Sequence, residues 1–317
     1  MKHILMTCAA VLALNADRAA ADDGWTTDYQ AAMKQAADSG KDLLIDFTGS
    51  DWCGWCIKLK EEVFSHDAFK NGVKDIFVTV EIDFPKDKSK LSGATLEQNQ
   101  RLGERYAVRG YPTIMLCDAA GRPYAATGYQ EGGPERYVEH LGKLRARKAA
   151  RDEAFAAAEK AADSEKAAML VAALDAMELD DALVAGFYGG VAEQIAAADP
   201  EDKTGFTARA AARKRFGEFQ ERLQEFGSKQ DHEGALGLVG ETLKQGGLGK
   251  DETQQVMLVR AVILAEQRKF SEALKAVDEA RAFHKDSPMD AMIVGFRQRI
   301  EEEAGKQDGA PAAEDAQ

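Results

Sequence analysis

A chain of 317 residues is longer than most single domains, so two domains are expected. Its composition, 45% hydrophobic and 30% charged, is that of an ordinary soluble globular protein able to bury real cores. A net charge of -13 argues against nucleic acid or anionic lipid as partners, because both repel an acidic surface.

The first residues address the compartment. Met1-Lys2-His3 is a short basic start, Ile4 to Leu14 is an apolar run, and Ala19-Ala20-Ala21 offers small residues for cleavage. This is the layout of a secretory signal peptide over residues 1–21, and it implies a periplasmic or secreted protein. The run is shorter than the about 20 residues a bilayer span requires, and no other segment has that length and apolarity. Cys8 stands ahead of the apolar core, which argues against a lipoprotein signal. Removing the leader leaves Cys53, Cys56 and Cys117, a close pair and a lone third thiol.

From Trp25 to Leu144 the pattern alternates. Asp28 to Asp38 has helical spacing and ends at Ser39-Gly40. Leu43 to Phe47 reads as a buried strand, Cys56 to Phe64 as a helix, and Ile76 to Ile82 as a strand rich in β-branched residues. Leu96 to Tyr106 is helical, Pro112 to Leu116 and Tyr124 to Thr127 are strands, and Gly132-Gly133-Pro134 opens a helix through Leu144. This order predicts a sheet covered by helices on both faces. Residues 22–148 are assigned to this α/β domain.

Beyond Arg145 the chain becomes rich in Ala, Glu, Gln and Lys, with helical stripes such as Phe216, Phe219, Leu223 and Phe226. Gly189-Gly190, Gly227-Ser228 and Gly246-Gly247 punctuate it. Residues 149–303 are expected to form an all-helical domain and residues 304–317 a disordered acidic tail. The segment from Gln254 to Ala280 resembles one helix pair of the tetratricopeptide repeat, with Ala273 and Ala280 allowing close packing. Its implied use is partner binding or self-association; a plain stabilising bundle is the other reading.

Cys53-Gly54-Trp55-Cys56 follows the buried strand and opens a helix. Two cysteines at this spacing close a small disulfide without unwinding the helix. The first sulfur sits at the positive end of the helix dipole, which favours thiolate. Cys53 is therefore expected to attack and Cys56 to resolve. A zinc half-site would need two more ligands, and only Cys117 and scattered histidines remain. An inert local disulfide is the other alternative. Cys117, after Ile114-Met115-Leu116, reads as a buried apolar residue.

The pair, Trp52 before it and Tyr111-Pro112-Thr113 at the start of a later strand together resemble the thioredoxin superfamily over Trp25 to Leu144. Asp46 through Cys56, Asp83-Phe84-Pro85 and Gly128-Tyr129 are similar to a branch of secreted bacterial thioredoxin-like proteins. The resemblance implies that Pro112 is a cis-proline beside the dithiol and that the Tyr111 backbone pairs with an extended substrate peptide. It implies that Asp46 is the buried acid that moves the resolving cysteine's proton. That acid's usual lysine partner falls at about Thr79 here, which leaves Glu81 as a substitute on the same strand face. Trp52 and Trp55 are expected to present an apolar landing surface. The Gly54-Trp55 dipeptide has no histidine to steady a thiolate, which argues against a strong oxidant.

The expected activity is thiol–disulfide exchange on cysteine-containing exported proteins, as a reductase or isomerase, with electrons passing to or from an envelope redox partner. It needs no metal or organic cofactor. The rivals are a disulfide-donating oxidase and a non-catalytic binding protein that works through its helical domain.

Overall fold

The computed structural model describes residues 24–308. The proposed signal segment 1–21 and the tail beyond residue 308 lie outside the described residues. The chain divides into two compact units: one runs to Lys160 and takes in Ala172–Ala192, and the other comprises Ala161–Val171 and the chain from Glu193 onward.

The first unit is an α/β thioredoxin fold. Its elements in order are β1 (Trp25–Thr26), α1 (Tyr29–Ser39), β2 (Asp42–Thr48), α2 (Gly54–Leu59), α3 (Asp67–Val73), β3 (Phe77–Asp83), α4 (Gly93–Arg105), β4 (Thr113–Cys117), β5 (Pro123–Thr127) and α5 (Gly133–Ala158). A π-helical turn, Lys60–Phe64, continues α2. The five strands lie in the order β1-β3-β2-β4-β5. β1 and β2 run parallel to β3, whereas β4 is antiparallel to both β2 and β5. Local chemistry sets the ends of α1: the Asp28 carboxylate accepts from the Ala31 amide at 2.9 Å, and Gly40 takes the left-handed conformation that terminates the helix.

β2 is buried along its whole length, so its two faces serve two layers. Leu43, Ile45 and Phe47 join Val78, Val80 and Ile82 of β3 in a core with Tyr29, Leu102, Tyr106 and Leu183. Strand alternation turns Leu44 and Asp46, with Glu81 and Asp83 of β3, to the opposite face. Leu183 and the half-buried Phe187, which packs against that core, come from α7 (Asp181–Ala198), which lies well past the expected domain limit. α5 likewise runs on through Leu144 and Arg145 without a break.

The helical unit is built on α8 (Phe206–Ser228), α9 (His232–Gln245), α10 (Lys250–Glu266), α11 (Phe270–Phe283) and α12 (Asp290–Asp308). Phe219 of α8, Leu238 and Val239 of α9 and Val256 of α10 form one core. Leu258 and Ala261 of α10, Ala273 and Ala280 of α11, and Ile293 and Ile300 of α12 form the next. Two glycine breaks anticipated from sequence separate helices, whereas Gly189-Gly190 lies inside α7, which is kinked at Tyr188. α12 carries on past Ala304 to Asp308. α6 (Asp163–Asp175) belongs to the second unit up to Val171 and to the first from Ala172. Among the described residues no helix is long and apolar enough to cross a membrane.

Candidate active site

β2 delivers the chain to the start of α2, and the turn between them is fixed by its neighbours. The Trp52 and Cys53 amides donate to the Gly49 carbonyl at 3.2 and 2.9 Å. Ser50 donates from its amide and its hydroxyl to the two Asp83 carboxylate oxygens, at 2.9 and 2.6 Å. The Asp51 carboxylate accepts from the Lys86 and Asp87 amides and from Lys90 Nζ. Those amide bonds, together with the lysine, hold the Asp51 carboxyl at about 2, below the usual carboxylate range. The exposed mixed-charge stretch Lys86 to Lys90 thus anchors the turn that carries the dithiol.

Cys53 and Cys56 form a disulfide with an S–S distance of 2.10 Å and Cα atoms 5.2 Å apart. The Cys53 sulfur caps α2, accepting from the Cys56 amide at 3.2 Å. Both cysteines are nearly covered, at 6% and 5% exposure, while Trp52 and Trp55 stand out at 40% and 56%. The covered pair is thus flanked in sequence by two exposed indoles.

Three segments meet around these indoles. The Trp52 indole nitrogen donates to the Phe84 carbonyl at 2.8 Å. The Trp52 ring packs edge-on against Tyr111 with centroids 5.5 Å apart, and Tyr111 also meets Phe84 at 5.4 Å. The Tyr111–Pro112 peptide bond is cis. A Cβ on Gly128 would stand 3.2 Å from the Pro112 carbonyl oxygen, so the absence of a side chain lets these two loops approach. The next residue, Tyr129, packs on Trp55 at 5.1 Å, and Lys58 Nζ lies over both rings at 5.1 and 4.8 Å. The Tyr129 hydroxyl is held by Glu62 at 2.5 Å. The sequence resemblance flagged Gly128-Tyr129 without giving it a task; the task is to support Trp55.

Asp46 stands on β2, on the sheet face it shares with Glu81 and Asp83. It is 6% exposed, and its Oδ1 atom is buried with no hydrogen-bond partner. Burial, and then the nearby Glu81 carboxylate, push its carboxyl well above the ordinary range; Lys60 opposes them and Asp83 adds to them. Lys60, in the π turn, pairs with Glu81 at 3.3 Å. Sequence reading reached Glu81 but missed Lys60, whose only signal is its place one turn after Cys56. Thr79, which stands where the resemblance would place a lysine, donates to the Gly24 carbonyl at 2.6 Å.

Cys117 is fully buried and free, beside the Tyr106 hydroxyl at 3.8 Å, and burial pushes its thiol up. His66 sits just before α3, with Nε2 3.0 Å from the Glu61 carbonyl oxygen. Among the described residues no group of three or more histidine, cysteine, aspartate or glutamate side chains is placed to hold a metal ion.

Residues 29–145 match the thioredoxin-like domain family. Disulfide bond reductase DsbH of Chlamydia pneumoniae is 35% identical over 123 residues, spanning 39% of this chain and 73% of that protein. Thioredoxin-related protein DsbJ of the same organism is 32% identical over 92 residues, spanning 29% of this chain but only 26% of its own length. A solved structure of a DsbH oxidoreductase is 31% identical and covers 43% of this chain and 93% of its own, with a TM-score of 0.37. Through its first unit, this chain belongs to the thioredoxin-like family of thiol–disulfide oxidoreductases.

Proposed function

We propose that the protein reduces or isomerises disulfides in exported proteins, in the periplasm or outside the cell. Cys53 attacks a substrate disulfide, and Cys56 then displaces the reduced product from the mixed disulfide. Asp46 takes the Cys56 proton. Pro112 and the Tyr111 backbone align an extended substrate segment, and Trp52 and Trp55 supply its apolar footing. An envelope redox partner returns the Cys53–Cys56 pair to the dithiol state.

The observation that carries this reading is the covered disulfide flanked by the exposed indoles of Trp52 and Trp55. The direction of electron flow is supported by the dipeptide between the cysteines, which carries no histidine or other cation to steady the Cys53 thiolate. The reductase named among its relatives points the same way. Measurement of the reduction potential against a glutathione series tests it. A value near about -270 mV fits a reductase, whereas one near about -120 mV would make the protein a disulfide donor.

A second reading concerns the helical unit. A cavity of about 610 Å³ opens among α8, α9 and α10, lined by Leu223, Phe226, Val259, Val262 and Ile263. It supports a partner-binding role for this half beside the redox chemistry.

A further inference from the structure

Asp46 and Glu81 are direct partners in the register of two parallel strands, so their side chains share one face of the sheet. Their surroundings differ. Asp46 is enclosed, with Oδ1 unpartnered, whereas the Glu81 side chain is 23% exposed and carries Lys60 at 3.3 Å. Lys60 belongs to the same helical run as Cys56, one turn on. Asp83 also lies on this face of β3, but its carboxylate is occupied by the Ser50 amide and hydroxyl. Tyr137 of α5 is also buried near Asp46, and its hydroxyl donates to the Gly128 carbonyl at 3.0 Å. The β4 residue in register with Asp46 is Ile114, which is apolar. Glu81 with Lys60 is thus the polar, partly solvated flank of an otherwise closed carboxyl.

We propose that Lys60 and Glu81 are positioning residues of the exchange site, a charge pair that links Asp46 to solvent and governs its proton exchange during the resolving step. The inference rests on Asp46 serving Cys56, as read above. In that step the Cys56 thiol proton passes to Asp46, and the Cys56 sulfur attacks the Cys53 sulfur. The bond between Cys53 and the substrate breaks, and the substrate departs as a thiolate carrying the electron pair. The protein is oxidised to the Cys53–Cys56 disulfide, the substrate disulfide is reduced by two electrons, and Asp46 releases its proton past Glu81 to water. A second carboxylate alone beside Asp46 would hold that proton too tightly, and a lone cation would make Asp46 a poor acceptor; the pair sets an intermediate strength.

Stopped-flow reaction of the reduced full-length protein with an aromatic disulfide, the nitrothiobenzoate dimer, separates the steps. Cys53 releases the first coloured thiolate and Cys56 the second, so the second phase reports resolution. Its apparent pH midpoint belongs to the Asp46–Cys56 pair. Glu81→Gln should move that midpoint to lower pH and Lys60→Met to higher pH, each by about one unit. The double substitution should return it toward the parent value, and Lys60→Arg should hold it there. A well-formed first phase certifies that each variant has kept its site. Midpoints that stay put, or that both move the same way, would overturn the pairing while leaving the dithiol chemistry intact. Loss of the second phase from the unsubstituted protein would remove the dithiol reading, and this inference with it.

Discussion

Arg151 donates from Nη1 to the Tyr188 hydroxyl at 2.8 Å, although its side chain is only 2% exposed. The same guanidinium lies 3.3 Å from the Asp118 carboxylate, and the Tyr188 hydroxyl donates onward to the Pro123 carbonyl at 2.8 Å. This network ties α5 and α7 to the β4–β5 hairpin. Tyr188→Phe should lower stability by about 1–3 kcal/mol, since it leaves a buried guanidinium and a carbonyl short of partners. Urea unfolding followed by circular dichroism measures that loss.

The same contacts predict where the redox unit can be cut. A fragment of residues 22–148 lacks Arg151 and also Leu183 and Phe187, whose ring packs 4.9 Å from Tyr106. It should be molten or insoluble, whereas residues 22–192 should fold and reduce insulin. Near-ultraviolet circular dichroism together with insulin turbidity distinguishes the two; equal behaviour of both fragments would show that α7 is dispensable.

Gly49 tests the setting of Trp52. A Cβ there would stand 2.5 to 2.8 Å from the Trp52 indole, which is held by its bond to Phe84. Gly49→Ala should therefore displace the indole, cost about 1–3 kcal/mol as overpacking does, and raise KM for insulin more than it lowers kcat. Tryptophan fluorescence and steady-state kinetics on the same preparation separate these effects.

Much of this site could be read from the residues in order. The buried strand from Leu43 to Phe47, the dithiol opening a helix and the break at Gly246-Gly247 all follow from local periodicity and turn chemistry, which need no knowledge of distant contacts. The capture of Leu183, Phe187 and Tyr188 by the first unit is different. Those residues have helical spacing like their neighbours, and only the three-dimensional surface of the sheet determines which unit they complete. Lys60 was hidden for a related reason: a lysine on a helix ordinarily reads as solvated, and its partner lies 21 positions away on β3.

Asp46 makes the stability of the oxidised protein depend on pH in a definite sense. Its folded-state carboxyl is raised, first by burial and then by Glu81, so the native state holds a proton that the unfolded chain has already lost. Stability is therefore full below the ordinary aspartate range of about 4 and declines as pH rises from there toward the raised value. Asp46→Asn removes that decline. Its melting temperature should match the parent near pH 4 and exceed it increasingly toward pH 8, by the equivalent of about 1 kcal/mol or more for an unpaired buried charge. A constant difference across this range would mean that Asp46 does not titrate there.

The most direct test of the account is to ask which sulfur meets the substrate. Reduced Cys56→Ser protein mixed with a disulfide-bonded protein substrate should accumulate a covalent adduct that dithiothreitol dissolves, because the resolving thiol is missing. Peptide mass spectrometry should place the bond at Cys53, and Cys53→Ser should yield no adduct. An adduct formed through the buried Cys117, or none from Cys56→Ser, would contradict the assignment of Cys53 as the attacking thiol.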